Sequence, residues 1–277
     1  MHAVGNAARY VVPQRPLRWR LAHRSRILHV LARTEFKLKY AGSVLGYAWS
    51  LVRPLLYFAV LWVVFARLFK TTIPHFPLYL ISGITLYTFL ADAVSLTLPS
   101  IVARGAMLRR IAFPSLLIPL ATTTTALMTF LLNSIAVVVF FLASGVGPHP
   151  EWLLIVPLVV ELYVFVLGLA LLCSTLYVRF RDVAQIWEVL APLLLFSSPI
   201  MYPISILPSW AREVIAFNPL TQVIQDSRRL LLGSDPRVAS LFVSSESRIY
   251  PILIAMAVLC LGLWLQRSKA PRFPEFV

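Results

Sequence analysis

The chain has 277 residues, of which 59% are hydrophobic and only 13% are charged. A soluble domain carries about a quarter charged residues, so this composition excludes an ordinary soluble protein. Runs of 18 or more mostly apolar residues recur, as expected for helices that span a bilayer. The net charge of +14 would suggest a nucleic-acid partner in a soluble protein, but here its distribution has another explanation.

The basic residues follow the rule that positive loops stay in the cytoplasm. Six apolar segments are predicted as transmembrane helices, at about 47–69, 77–98, 113–143, 152–177, 184–202 and 249–266. The flank before the first span and the stretches after the second, fourth and sixth hold 17 of the 25 Lys and Arg residues. We therefore expect an all-α integral membrane protein with six transmembrane helices and both termini cytoplasmic.

The predicted organisation is a cytoplasmic head (1–46), one transmembrane domain (47–266) and a short cytoplasmic tail (267–277). The head has no early apolar run of signal-peptide length, so the first span is expected to act as an uncleaved insertion signal. Its stretch LRWRLAHRSRILHVLARTEF, residues 17–36, carries basic residues opposite an apolar side. This pattern predicts an amphipathic helix on the cytoplasmic membrane surface.

Between the second and third spans lies PSIVARGAMLRRIAFP, residues 99–114, bounded by two prolines. The segment is too short to span. It is basic and keeps Ile101, Leu108 and Ile111 apolar. It is either a short cytoplasmic helix that docks onto another protein or a solvated loop.

The fifth span is followed by SSPIMYPISILPSW, residues 197–210, whose prolines interrupt the helix. Next comes NPLTQVIQDSRRLLLG, residues 218–233. Asn218 is a suitable N-cap, Pro219 fits the first helical position and Gly233 fits just past the end. The apolar residues form one stripe, and the side chains that face away are Gln222, Gln225, Asp226 and Arg229. We predict a re-entrant or interfacial outer helix.

Several charged residues lie inside predicted spans, where they usually face a bundle interior or a wet path. They are Arg53, Asp92, Glu161 and Glu188. Arg53 either snorkels to the interface or faces a path. Glu161 is a packing or pore group, a satisfied hydrogen-bonding residue between helices, or a proton-coupled carboxylate.

Aromatic residues of the first span fall on one helix face, namely Phe58, Trp62, Phe65 and Phe69. Such a stripe packs, contacts lipid, or lines a pore in which sugar rings stack on the aromatic rings. Tyr87 of the second span and Phe196 of the fifth are further candidates for pore lining and sugar stacking, with Phe89 weaker.

The sequence has no GxxxxGK[ST] motif, no Ser/His/Asp set and no Cys/His spacing for a metal. Cys173 and Cys260 both fall in predicted spans and are expected to be packing residues. We expect no catalysis, no bound metal and no cofactor in this chain.

Four stretches together resemble the permease subunit of the ABC-2 type transporters that export cell-surface polysaccharides. They are FKLKYAGSVLGYAWSLVRPLL (36–56), LRRIAFPSLLIP (108–119), YVRFRDVAQIWEV (177–189), and SPIMYPISILP (198–208) with NPLTQVIQDSRRLLLG (218–233). Each motif alone is weak, but they occur in order and at the family's spacing over nearly the whole chain.

The resemblance implies roles for particular residues. Residues 99–112 resemble the coupling helix that docks into a separate ATPase, and YVRFRD resembles a second cytoplasmic contact. The coupling candidates are Ile101, Arg104, Met107, Leu108, Arg109, Arg110, Arg179, Arg181 and Asp182. Region 204–232 resembles two short outer helices that close the external mouth, with the gate candidates Tyr202, Pro203, Trp210, Asn218, Pro219, Arg228 and Arg229.

Arg24, Arg26 and Arg53 are candidates for attracting a lipid-linked diphosphate at the entrance, because guanidinium groups pair with phosphate. The implied assembly is a plasma-membrane homodimer with two copies of an ATPase that binds ATP and Mg. Its cargo would be a polysaccharide on a polyprenyl diphosphate, and its other contacts membrane lipids, with no nucleic acid.

The cargo stays open at this stage. Arg outnumbers Lys 21 to 4, which suggests a GC-rich genome and weakly favours an actinobacterial galactan, with O-antigen next. The alternatives are an ABC-2 exporter of drugs or small lipids, a proton-coupled secondary carrier that uses Glu161, and a membrane glycosyltransferase.

Overall fold

The structure is a computed structural model that describes residues 17–40, 46, 48–65, 73, 75–110, 113–233 and 249–276. Within these residues the chain is helical and contains no strand. The α-helices are α1 (Leu17–Tyr40), α2 (Ala48–Val63), α3 (Phe76–Thr97), α4 (Ser100–Ala103), α5 (Gly105–Arg110), α6 (Leu117–Ala143), α7 (Ile155–Arg179), α8 (Val183–Ser197), α9 (Ser209–Ala216), α10 (Pro219–Leu232), α11 (Ile249–Lys269) and α12 (Phe273–Phe276). Short 3-10 turns occupy Pro150–Leu154, Ile204–Ile206 and Ala270–Arg272.

Four helical segments of the described chain are long and apolar enough to cross a membrane. They are Phe76–Thr97, Leu117–Ala143, Pro150–Arg179 and Ile249–Arg272. At a rise of about 1.5 Å per residue, each reaches the roughly 30 Å of the hydrocarbon core. These four confirm the predicted second, third, fourth and sixth apolar segments as membrane-length helices.

The predicted first and fifth spans correspond to shorter α-helices within the described residues. Residues 64 and 65 continue the first of these helices as π-helix, and residues 66–69 of the predicted span lie outside the described part. Helix α2 has 16 residues and α8 has 15, which corresponds to about 24 and 22 Å. Helix α8 ends at Ser197 because Pro199 and Pro203 follow it and cannot continue the helical hydrogen bonds. The predicted span 184–202 was therefore too long at its C-terminal end.

Helix α3 is the centre of the bundle and is buried along most of its length. It packs against α2, α6, α7, α8 and α10. Its contact with α8 includes two polar bonds: the Tyr87 hydroxyl donates to the Ala191 carbonyl at 2.9 Å, and Trp187 Nε1 donates to Ser95 Oγ at 2.9 Å. Satisfied polar bonds of this kind fix the register of helices in an apolar surrounding.

Helices α7 and α11 approach so closely that only glycine fits at their crossing. A Cβ atom at Gly168 would lie 2.6 Å from the backbone nitrogen of Leu259. A Cβ atom at Gly262 would lie 2.7 Å from the carbonyl oxygen of Gly168. Small residues at the contact let two membrane helices pack backbone to backbone, so this pair behaves as one unit.

We expect Gly168→Ala to lower the thermal midpoint of the purified protein in detergent micelles. The added methyl group meets backbone that cannot move aside, and overpacking of this kind costs about 1–3 kcal/mol. Gly147→Ala is the control, since a Cβ atom there has nothing within 4 Å. Equal midpoints for the two variants would contradict the close α7–α11 crossing.

Candidate functional site

The largest fully buried side chain in the described structure is that of Arg228 in α10. Its Nε and Nη2 donate to the Tyr79 carbonyl at 3.1 and 2.9 Å. Its Nη1 donates to the Pro199 carbonyl at 2.6 Å, and Nη2 also donates to the Ile200 carbonyl at 2.8 Å. We call Arg228, Tyr79 and residues 199–202 the Arg228 clamp.

Tyr79 completes the clamp from α3. The guanidinium carbon lies 3.4 Å from the centre of the Tyr79 ring, a cation–π contact. The Tyr79 hydroxyl donates to the carbonyls of Pro199 at 3.2 Å and Tyr202 at 2.8 Å. The clamp therefore joins three parts of the chain: α3, the segment after α8, and α10.

The clamp forms where it does because α8 breaks there. Residues 198–203 are not helical, so their carbonyls lack the helical donors and must be satisfied otherwise in an apolar surrounding. A guanidinium group offers several fixed donors and is suited to this task. Space for it is provided by Gly83, where a Cβ atom would lie 2.7 Å from Arg228 Nη2.

The prediction for α10 was correct at its ends. Asn218 caps the helix by accepting a hydrogen bond from the Leu220 amide at 3.0 Å, Pro219 opens it, and Gly233 follows its end. Of the residues that face away from the apolar stripe, Gln222, Gln225 and Asp226 are buried and only Arg229 is exposed. They are covered because α10 packs between α3, α7 and α11.

Burial leaves some polar groups of this region without partners. In the described chain, Glu161 Oε1 of α7 and Ser227 Oγ of α10 are buried and accept or donate no hydrogen bond.

The other predicted outer residues lie nearer the surface. The Tyr202 hydroxyl donates to the Phe196 carbonyl at 2.8 Å, Pro203 is half-buried, and Trp210 is 69% exposed.

At the opposite end of the bundle, the predicted docking segment forms the short helices α4 and α5. Ile101 and Leu108 are buried in a cluster with Ile118 of α6, Val178 of α7 and Phe273 of α12. Their side chains anchor α4 and α5 to their own chain, and their contact with a partner stays a prediction. Met107 is half-buried and Arg109 is exposed, so both remain available to a partner.

Arg104, between α4 and α5, forms an ion pair with Glu35 of α1. Burial raises the pKa of the Glu35 carboxyl, while the Arg104 charge and hydrogen bonds to Thr122 and Arg104 oppose this rise. A residue predicted to contact another protein is thus used within the chain. Sequence reasoning missed Glu35, since nothing local relates two residues 69 positions apart.

Helix α1 lies along α6 through a row of threonines. Thr125 Oγ1 donates to the Ala32 carbonyl at 3.1 Å, and Lys39 Nζ donates to Thr129 Oγ1 at 3.5 Å. Ala32 is completely buried, so this side of α1 is covered by the bundle. Glu35 is on the same side of α1, so α1, α6 and the α4–α5 segment pack as one group.

The remaining cytoplasmic candidates are at the surface. Arg179, Arg181 and Asp182 are exposed where α7 meets α8. The Arg179 guanidinium lies 5.4 Å from the Phe180 ring and that of Arg181 lies 4.9 Å from the Tyr177 ring. Among the entrance candidates Arg26 is exposed, whereas the side chains of Arg24, Arg53 and the coupling candidate Arg110 lie outside the described part.

The predicted aromatic stripe of the first span divides into packed and exposed rings. Phe58 is 8% exposed and meets Phe140 of α6 edge-on, with ring centres 5.8 Å apart. Tyr87 is equally buried against α8. For these two residues the placement favours packing over pore lining. Trp62 and Phe196 are exposed, Phe65 lies 6.4 Å from the Phe76 ring, and Phe69 lies outside the described residues.

The other predicted charges inside the bundle differ in their surroundings. Asp92 of α3 lines a small cavity with Lys39 and Thr129, whereas Glu188 of α8 is exposed. In the described ranges no three His, Cys, Asp or Glu residues are grouped closely enough to hold a metal ion.

Residues 27–232 match the ABC-2 type transporter family, which covers more than half of the chain. An O-antigen export system permease protein of Myxococcus xanthus is 28% identical over 254 residues, covering 87% of this chain and 90% of that protein. A Klebsiella pneumoniae protein of the same description is 27% identical over 218 residues, covering 78% and 84%. The polysialic acid transport protein of Escherichia coli is 22% identical over 241 residues, covering 85% and 90%.

We expect Arg228→Met to destabilise the protein, because the Ile200 carbonyl loses its donor and the carbonyls of Tyr79 and Pro199 each lose the donors that Arg228 supplies. Each buried unsatisfied group costs about 1–3 kcal/mol. Arg228→Lys should have an intermediate effect, since an ammonium group cannot reproduce the guanidinium fork. The measurement is the thermal midpoint in micelles, with the exposed Arg229→Met as control.

A double-mutant cycle separates the clamp from general damage. Gly83→Ala should be costly in the wild type because its methyl group meets Arg228 Nη2, and clearly less costly when Met replaces Arg228. Additive effects of the two changes would show that Gly83 and Arg228 do not depend on each other.

For the Glu35–Arg104 pair, we expect an asymmetry between the two partners. Arg104→Gln leaves a half-buried carboxylate without its cation and should cost about 1–3 kcal/mol. Glu35→Gln should lower the unfolding free energy by less, because it also removes the unfavourable desolvation of a buried carboxylate. The exposed Arg109→Gln on the same segment is the control, and thermal midpoints at pH 7 provide the comparison.

The pH dependence follows from the raised pKa of Glu35. Between the ordinary pKa of 4.5 and the raised folded value, the folded state binds more protons than the unfolded chain. The contribution of Glu35 to stability therefore falls as pH rises through this window. Glu35→Gln should remove that slope, and an unchanged slope would show that Glu35 is not the group responsible.

Proposed function

Since the chain belongs to the ABC-2 type transporter family, we propose that it is the membrane-spanning permease subunit of an exporter of cell-surface polysaccharide. The observation that carries this proposal is its similarity, over more than three quarters of its length, to proteins described as O-antigen export permeases. A second relative is described as transporting polysialic acid, another polysaccharide. ATP hydrolysis belongs to a separate ATPase subunit, and this chain is not the catalytic one.

In the proposed arrangement the chain is a multi-pass membrane protein with six spans, in which α2 and α8 join the four long helices. Both termini face the cytoplasm, as do α1 and the α4–α5 segment. The Arg228 clamp, α9 and α10 lie at the outer side. Support comes from the distribution of basic residues, which places most of them on the side of α1, α4 and α5.

The proposed partner is an ATPase dimer that contacts the exposed side of α4 and α5. Arg109 and Met107 are available there, while Ile101 and Leu108 connect α4 and α5 to the bundle. Movement of this segment would reach α1 through Arg104 and Glu35, and α6, α7 and α12 through the apolar cluster. The ATPase would thus displace several helices at once rather than one loop.

The proposed cargo is a polysaccharide linked to polyprenyl diphosphate, carried from the cytoplasm to the outer surface through a path shared by two copies of this chain. O-antigen is favoured by the named relatives, and galactan is kept as the second cargo from the arginine-rich composition. Exposed rings such as Trp62 and Phe196 are candidates for contact with the sugar chain.

Depletion of the protein should cause one polyprenyl-diphosphate-linked glycan to accumulate on the cytoplasmic side of the membrane. The measurement is fractionation of lipid-linked glycans by their accessibility to an added glycosidase in right-side-out and inverted vesicles. Re-expression of the wild-type chain is the control, and the sugar composition of the accumulated glycan identifies the cargo. Unchanged glycans together with increased sensitivity to drugs would contradict the proposal and indicate an exporter of small molecules.

A further inference from the structure

A basic cavity lies where the C-terminal ends of α7 and α11 meet α12. Its volume is about 100 Å³, which equals roughly three water molecules in the liquid. Three cationic side chains line it: Arg179 from the last turn of α7, Lys269 from the last turn of α11, and Arg272 from the following turn. No acidic residue lines the cavity.

The three cations are not neutralised within the described part of the chain. Arg179 lies over the Phe180 ring at 5.4 Å, and none of the three forms an ion pair there. Glu275 of α12 and Asp182 are exposed and lie outside the cavity lining. The three side chains are exposed at the rim of one cavity, and three positive groups without a carboxylate favour an anion with several charged oxygens, such as a phosphate group.

The rest of the lining is mainly apolar and includes Leu265, Leu176, Phe180 and Phe276. The hydroxyl of Thr175, which also lines the cavity, is already used in a hydrogen bond to Gln266 that joins α7 to α11. The cavity lies at the ends of two membrane-length helices, the level at which headgroups begin. A ligand with a phosphate and an adjacent hydrocarbon chain fits both parts of this lining.

We propose that this cavity binds the headgroup of an anionic phospholipid of the cytoplasmic leaflet. Basic pockets between transmembrane helices on the cytoplasmic side are suited to such headgroups. A bilayer lipid is favoured over the transported carrier lipid because α11 packs against α7 and α10, away from α2. The inference depends on the proposed function only for the side of the membrane on which the cavity lies.

Because of the position of the cavity, a bound lipid would also affect the α4–α5 segment that the proposed ATPase contacts. Arg272 is directly followed by Phe273, which is 2% exposed and packs in the cluster that contains Ile101 and Leu108. A headgroup bound to Arg272 and Lys269 would therefore restrict the motion of α12. Because Phe273 of α12 packs in this cluster, the motion of the α4–α5 segment would be restricted as well. Anionic lipid would stabilise the segment that receives the movement of the ATPase.

The test uses the full chain purified in a neutral detergent and titrated with phosphatidylglycerol or phosphatidylcholine, with thermal midpoint and lipid retained in native mass spectrometry as readouts. Lys269→Gln and Arg272→Gln remove one cavity charge each. Arg267→Gln is the matched control, because it removes an exposed charge from the same end of α11 that does not line this cavity. Arg272→Lys keeps the charge and tests whether the fold survives a change at that position.

The expected result is that phosphatidylglycerol, and not phosphatidylcholine, raises the midpoint of the wild type, Arg267→Gln and Arg272→Lys. Loss of one charge-assisted contact should weaken the binding about tenfold in Lys269→Gln and Arg272→Gln. Equal phosphatidylglycerol responses in Arg272→Gln and Arg267→Gln would overturn the site, because the charges would then act only as general attraction.

Two further titrations distinguish a bilayer lipid from other ligands that carry a phosphate group. Inorganic phosphate at millimolar concentration should not reproduce the stabilisation, and if it does the cavity is a free-anion site rather than a lipid site. A short-chain polyprenyl diphosphate should compete more weakly than phosphatidylglycerol, and tighter binding would overturn the assignment to a bilayer lipid. Neither outcome bears on whether the chain exports polysaccharide, which is measured in cells.

Discussion

The position of α10 depends on the burial of one charge. An arginine inside an apolar bundle is very costly unless its charge and its donors are all engaged. Arg228 meets this condition because the break after α8 leaves carbonyl groups in need of donors, and the guanidinium supplies them. The same hydrogen bonds therefore satisfy both the buried guanidinium donors and the carbonyl groups that the break after α8 leaves unpaired.

Several other features follow from this contact. Helix α10 must lie deep enough to place Arg228 against α3, so its glutamines and Asp226 are buried with it. Gly83 must lack a side chain, since a Cβ atom would collide with Arg228 Nη2. Tyr79 must keep its ring beneath the guanidinium and its hydroxyl on the 199–202 segment. Under the proposed function, the outer helices are then tied to the central helix and would move with it.

The sequence predicted those features that local pattern determines. Hydrophobic length identified the four long helices, and the cap of α10 was predicted because Asn218, Pro219 and Gly233 act through adjacent backbone. Local pattern did not predict features that depend on contacts between residues far apart in the sequence. Glu35 pairs with a residue 69 positions away, and Arg228 reaches a carbonyl 149 positions away. The burial of the polar side of α10 was not predicted either, because a helical pattern shows which residues share a face but not which neighbouring helix covers that face.

The packing of α3 also restricts where a polymer can pass. Most residues of α3 are buried, because the faces of this central helix pack against its neighbours. The cavity between α3, α6 and α7 holds about 340 Å³, but its lining is almost wholly apolar and does not suit a hydrated sugar chain. Exposed rings such as Trp62 and Phe196 instead lie on the outer faces of the short helices α2 and α8. Under the proposed function, the polysaccharide would pass along these faces, and a second copy of the chain would close the path.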